Sequence, residues 1–285
     1  MTLRNLPAAD IGTKPGVRSD ISQQALSRWT PDLRAAAAAA DTQNTISILD
    51  VIGQDFWGEG VTAKRIAGAL RAIGDQPVTV TINSPGGDVF EGLAIYNLLR
   101  EHPAKITVKV IGLAASAASF IAMAGDEIQI AKSGFFMIHN AWVMAMGDQH
   151  ALRDVADWLE PFDASMAEIY ADRSGQDVKK LTDMMDKETW IGGKDAVDLG
   201  FADDFLPRDQ VSLSHGDGDA AAALRAERMF DVMASRAGVT KSAGRDLLAS
   251  LKGVKSGADL SGMSGAADID ARVADLLAQV KSLKG

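Results

Sequence analysis

The chain has 285 residues, 47% hydrophobic and 24% charged, enough for one large α/β domain with tails or for two small domains. Its net charge of −9 argues against nucleic acid or an anionic membrane as the main partner, since both would repel it. There is no cysteine, so disulfides, thiolate catalysis and cysteine-ligated zinc are excluded.

The opening residues Met1 to Pro7 lack the apolar core of a secretory signal, and a cytoplasmic setting is expected. Residues 1–44 hold no strand pattern and end in the alanine run Ala35 to Ala40, which predicts an N-terminal arm or propeptide with one helix. From Thr45 the pattern turns regular. Ile46 to Val51 reads as a strand, Val61 to Ile73 as an amphipathic helix, and Val78 to Ile82 as the next strand, closed by Ser84-Pro85-Gly86-Gly87. Val89 to Arg100 follows as a helix, Ile106 to Ile111 as a strand and Ser116 to Ala124 as a helix. Glu127 to Ala131 and Phe135 to His139 are short strands. The apolar run Ile106 to Gly125 contains Lys109 and splits into a β-branched strand and an Ala-rich helix, so it predicts buried core and not a membrane span. This alternation predicts βαβ crossovers and a largely parallel sheet over 45–207.

A long helix is expected from Gln149 to Arg173, interrupted or kinked at Pro161. Its apolar positions, among them Leu152, Leu159, Phe162 and Met166, imply packing against the body or a neighbouring subunit. Asp177 to Met185 and Asp195 to Leu199 complete the helices. Residues 208–285 read as a linker, His215 to Ala223, followed by a helical extension in which Ile269, Val273, Leu276, Val280 and Leu283 form a short heptad run. That linker composition suggests self-cleavage that frees the C-terminal segment.

Three stretches carry chemistry. Ser116 lies among Ala114, Ala115, Ala117 and Ala118, which leave open space around a hydroxyl where ordinary core would place Leu or Ile. His139 ends an apolar strand, where ligand and catalytic groups of open α/β sheets gather. The Gly86-Gly87 pair exposes backbone N–H groups and admits a substrate strand. A nucleophile, a base and amide donors are the parts of an acyl-transfer site. Each residue has a plainer reading: an N-cap serine, a structural histidine and a turn. Asp186 and Glu188 are two acids that could orient the imidazole, or surface charges. No metal-ligand spacing surrounds the histidines, and neither a P-loop nor a complete calcium loop occurs, Arg228 standing where the twelfth-position acid would be.

Taken together, Ile82 to Gly87, Gly112 to Ala117, Met137 to His139 and Trp190 to Asp203 resemble the Clp protease proteolytic-subunit family, within the crotonase-like superfamily. The resemblance implies an α/β spiral of ββα units with a protruding helical handle, flanked here by flexible N- and C-terminal extensions. By that similarity Ser116 is the nucleophile and His139 the general base, with Gly86 and Ala117 as oxyanion donors and Gly87 beside the substrate strand. The third residue is usually Asp in this family and aligns here with Glu188, with Asp186 as the alternative. Asn140 also stands where the cellular enzymes usually carry Gln-Pro after the histidine. This departure and the two extensions look more like the phage and prophage head-maturation proteases, which process scaffold and capsid proteins in the procapsid.

The implied activity is a serine endopeptidase that needs no cofactor, metal or nucleotide of its own, acting on protein and peptide substrates inside a homo-oligomeric ring. Three rivals stand beside it: a cellular-type Clp peptidase served by a separate AAA+ unfoldase, an acyl-CoA enzyme of crotonase type, and a non-catalytic assembly or scaffold protein on the same fold.

Overall fold

The computed structural model describes residues 17–19, 21–31, 33, 44–54, 60–207 and 218–255. The alanine run 35–40, the segment 208–217 and the heptad run 269–283 lie outside the described residues. The chain divides into two compact units, one of residues 1–53 and 60–225, the other of 54–59 and 226–285.

The first unit is built on a mostly parallel sheet. In spatial order its main path runs β2 (Thr45–Ile48), β3 (Val78–Ser84), β4 (Ile106–Ala115), β5 (Glu127–Ile130) and β9 (Asp204–Phe205), each parallel to its neighbour. Helices α2 (Ala63–Ile73), α3 (Val89–Arg100) and α4 (Ala117–Ala122) make the crossovers. The alternate positions Val78, Val80, Ile82, Val108, Val110, Ile128 and Ile130 share one face of the sheet and are all buried, while Thr79, Thr107, Lys109 and Gln129 between them are half-buried.

β4 is the pivot of the sheet. Its first half, Thr107 to Val110, pairs with β5, while Leu113 to Ala115 pair with β6 (Phe135–Ile138). β6 in turn pairs antiparallel with β8 (Thr189–Gly192). The strand therefore leaves one neighbour for another as it approaches Ser116, and the sheet opens at that point. β3 shifts register against β4 between Ile82 and Ser84, so both strands deform beside the same spot.

Helix starts follow their side-chain caps. Thr62 accepts from the Arg65 amide, Asp88 from Phe90 and Glu91, Asp148 from His150 and Ala151, and Asp177 from Lys180. The long helix α5 (Gln149–Ser174) runs on through Pro161, so of the two outcomes expected there, interruption or a kink, it is not interrupted. Pro161 and Asp157, whose carbonyl loses a donor, are both exposed, which leaves that carbonyl open to solvent. Phe90 meets Trp158 and Phe162 at ring-centroid distances of 5.4 and 5.2 Å, seating the middle of α5 on α3. α6 (Val178–Asp186) and α7 (Gly193–Asp198) complete this layer.

The region before residue 44 holds more structure than its lack of strand pattern implies. β1 (Val17–Ser19) pairs antiparallel with β7 (Val143–Ala145), and α1 (Gln23–Arg28) follows. Trp29 is fully buried, its indole N–H donating to Asn83 O at 2.8 Å, and Asn83 Nδ2 donates to Thr30 O at 2.8 Å. Three residues are too few to show an alternating pattern, and their pairing is set by the partner strand.

α8 (Gly218–Arg236) begins inside the stretch expected to be a linker, because Ala220 to Ala223 favour helix. In the second unit α9 (Lys241–Lys255) starts at Thr240, whose Oγ1 accepts from the Ala243 amide at 3.3 Å; Ala234, Leu247 and Leu248 are buried. Among the described residues no helix is long and apolar enough to cross a membrane.

Candidate active site

Ser116 links the end of β4 to α4 with φ 53° and ψ −125°, a backbone region that a non-glycine residue adopts at a cost of about 1–3 kcal/mol. It occupies the N-cap position of α4 yet makes no side-chain cap bond. Its Oγ instead lies 2.7 Å from His139 Nε2. The hydroxyl has been turned away from the helix and towards an imidazole, which separates it from an ordinary capping serine. The Ser116 amide donates to Met137 O at 2.8 Å, so the strand that ends in the histidine also holds the serine.

His139 follows β6 directly. Burial pushes its pKa below the ordinary histidine value, and the charge of Glu188 partly opposes that shift. A neutral imidazole at physiological pH can accept a proton from Ser116. Glu188 reaches this place through sheet register. Ile138 pairs with Thr189 across the β6–β8 ladder, so one further step sets Glu188 against His139. Glu188 has φ 47° and, with Ser116, is one of the two non-glycine residues with positive φ among the described residues. Its amide donates to Met185 O at 3.0 Å, closing the turn after α6. Asp186 is exposed and accepts from Asn140 Nδ2 at 2.8 Å. The two acids thus stand apart: His139 feels the charge of Glu188, whereas Asp186 accepts from the next side chain along, Asn140.

Gly86 has φ 89°, and a Cβ built there would lie 2.6 Å from both Ala115 O and Ser116 Cβ, and 3.1 Å from the Ala117 amide. Only glycine allows this approach. Gly86, Ser116 and the start of α4 therefore meet in one place, as the motifs imply. The Gly86 N–H, however, donates to Ser84 Oγ at 3.2 Å. Gly87 has φ 150°, and a Cβ there would lie 2.1 Å from Ile52 O, so this turn too is closed to side chains.

Several polar residues near the site carry no periodic or motif signal. Asp163 of α5 accepts from the Ala141 amide at 2.6 Å, tying the segment after His139 to the long helix; burial raises the pKa of this carboxyl. Ser119 and Tyr170 lie fully buried under Ser116. A lone tyrosine on a helix face reads as core, and only its hydroxyl partner identifies it. Among the described residues no group of His, Asp and Glu could hold a metal ion.

Comparison with known proteins places these segments in a family. The Clp protease family model matches residues 34–209. The ATP-dependent Clp protease proteolytic subunit 2 of Corynebacterium diphtheriae is 30% identical over 203 residues, covering 65% of this chain and 100% of that protein. The corresponding subunit 1 of Salinibacter ruber is 26% identical over 151 residues, 51% of this chain and 65% of that one. Among solved structures, a single-substitution mutant of ClpP1 from Listeria monocytogenes aligns with a TM-score of 0.49 at 21% identity, covering 64% of this chain and 98% of that one. With all of 45–207 inside the matched region and a 2.7 Å serine–histidine pair at its centre, the chain belongs to the Clp protease family of serine peptidases.

Proposed function

We propose that this chain is a serine endopeptidase that forms an acyl-enzyme at Ser116, and that it serves as a head-maturation protease. The observation that carries the enzymatic part is the 2.7 Å contact between Ser116 Oγ and His139 Nε2, made by a serine held at positive φ. His139 takes the hydroxyl proton as Oγ attacks the peptide carbonyl, and returns it to the leaving amine; water then releases the acyl group by the same route. Glu188 orients the imidazole and favours its charged form as the proton arrives. The tetrahedral oxyanion rests on the Ala117 amide and on the Gly86-Gly87 turn. Because Gly86 N–H is engaged with Ser84 Oγ, Gly87 N–H is the donor of the pair left for the oxyanion in this reading.

Support for the head-maturation role comes from what lies outside the matched region. The family match covers residues 34–209 of a chain of 285, leaving residues 1–33 before it and 210–285 after it. A scaffold-like extension after the peptidase domain, and an N-terminal arm before it, suit an enzyme packaged with its substrates. In this reading the substrates are scaffold and capsid proteins, met in the host cytoplasm and procapsid by a homo-oligomeric ring. The test is to co-express the chain with the scaffold and capsid proteins of a prohead, without ATP or an unfoldase in the subsequent assay, and to map cleavages by intact mass. Processing that needs Ser116 and no nucleotide is expected. Degradation only with ATP and a separate AAA+ unfoldase would instead favour the cellular-type reading.

A further inference from the structure

Ser119 and Tyr170 are fully buried polar side chains whose hydroxyls lie 2.7 Å apart. Ser119 Oγ also donates to Ser116 O at 2.5 Å, and the Ser119 amide donates to the same carbonyl at 2.9 Å. A carbonyl can only accept, so the single Ser119 hydroxyl proton is committed to Ser116. Tyr170 must then be the donor to Ser119. The result is a directed chain, Tyr170 Oη–H to Ser119 Oγ–H to Ser116 O, joining the long helix α5 to the backbone of the serine.

We propose that Tyr170 and Ser119 are positioning residues which hold Ser116 in its positive-φ conformation and so aim its hydroxyl at His139. This rests on the acyl-enzyme reading of Ser116. Three features support it. The restraint acts on the carbonyl of the strained residue itself, where a rotation of the peptide would carry Oγ away from the imidazole. Its far end is anchored: the Tyr170 ring packs at 5.7 Å from Phe201, which lies 5.9 Å from Phe136 of β6, the strand leading to His139. Finally, burial holds the phenol far above its ordinary pKa, so it remains a donor across the working range. One packed layer thus fixes the serine through Tyr170 and the histidine through Phe136. Neither Ser119 nor Tyr170 is placed to touch substrate, so their loss should appear in the rate of the chemical step and not in substrate affinity.

The experiment compares wild type, Tyr170→Phe, Ser119→Ala, the double variant, Ile121→Val and Ser116→Ala. Each is treated with a fluorophosphonate, and the maximal phosphonylation rate constant is separated from the half-saturating concentration. Tyr170→Phe keeps the ring and is expected to lower the maximal rate about 5- to 10-fold, and Ser119→Ala up to about 100-fold, as small misplacements of a reacting atom do. The half-saturating concentration should change less than about twofold in both. The double variant should be no slower than Ser119→Ala, since both changes break one chain. Ile121→Val removes a buried methylene from the same helix without touching a hydroxyl, and should keep nearly the wild-type rate. Rates for Tyr170→Phe and for any folded Ser119→Ala protein within twofold of wild type would overturn the proposal. So would a loss in Ile121→Val equal to theirs, which would make the effect one of packing. No adduct on wild type would instead sink the acyl-enzyme reading and this inference with it, whereas a normal wild-type adduct with unchanged variants removes the positioning role alone.

Discussion

Ser116 and Glu188 both sit at positive φ, but they are held very differently. Ser116 is fixed from every side: its amide on Met137 O, its carbonyl on two donors from Ser119, its Cβ facing Gly86 with no room to spare. Glu188 lies in a half-buried turn closed by its own amide on Met185 O and by Thr189 Oγ1 on Met184 O at 2.6 Å. Ser116 belongs to the junction of β4 with its crossover helix, whereas Glu188 lies in the turn that leads into β8. Strain at Ser116 is therefore enforced by the core, so replacing its neighbours should displace the serine itself, whereas replacing Glu188 should act through the imidazole.

The packing around Ser116 is tightest at Gly86. Gly86→Ala forces a Cβ into Ala115 O and Ser116 Cβ, and should cut peptidase activity by about 10²-fold or more. Activity of a folded Gly86→Ala protein near that of wild type would mean the two strand ends are looser than described. Glu188→Ala should lower kcat by a factor on the order of 10²–10⁴ with little change in KM, the signature of an imidazole that has lost its orienter. Asp186→Ala should cost only a few-fold, since that carboxylate bonds Asn140 and not the histidine. Were the two losses reversed, Asp186 would be the third member of the site.

A pH profile sharpens the same contrast. Burial lowers the His139 pKa, so the acid limb of kcat/KM should fall below the ordinary histidine range. The Glu188 charge raises that pKa, so Glu188→Gln should move the limb to still lower pH, while Asp186→Asn leaves it in place. A limb that moves upward in Glu188→Gln has the wrong sign for this account. Smallest of all, Asn83→Ala removes an acceptor for the Leu113 amide and a donor to Thr30 O, and should loosen residues 29–31 before it affects the chemistry. Greater protease sensitivity of that segment, with activity kept within about twofold, is the expected result.

The sequence made some of this arrangement legible and hid the rest for physical reasons. β3, α3 and β4 could be placed because strands with a β-branched buried face and an apolar crossover helix leave strong patterns, and α3 has the predicted bounds, Val89–Arg100. Ser116 stood out because four alanines surround it, a packing choice visible in one dimension. Glu188 could not be separated from Asp186, since what distinguishes them is the β6–β8 register, a long-range pairing that leaves no local trace. Nor could Tyr170 be recognised. Its apolar ring satisfies the helix pattern, and only the fold brings its hydroxyl to Ser119. β1 escaped notice because three residues take their conformation from β7 and not from their own composition.

The most direct test is intact-mass analysis after fluorophosphonate treatment of wild type, Ser116→Ala and His139→Ala. A single adduct on wild type, absent from Ser116→Ala and strongly slowed in His139→Ala, is the predicted result, because only an imidazole-activated serine reacts in this way. No adduct on folded wild-type protein, or one that persists in Ser116→Ala, would contradict the claim that this serine–histidine pair is the catalytic centre.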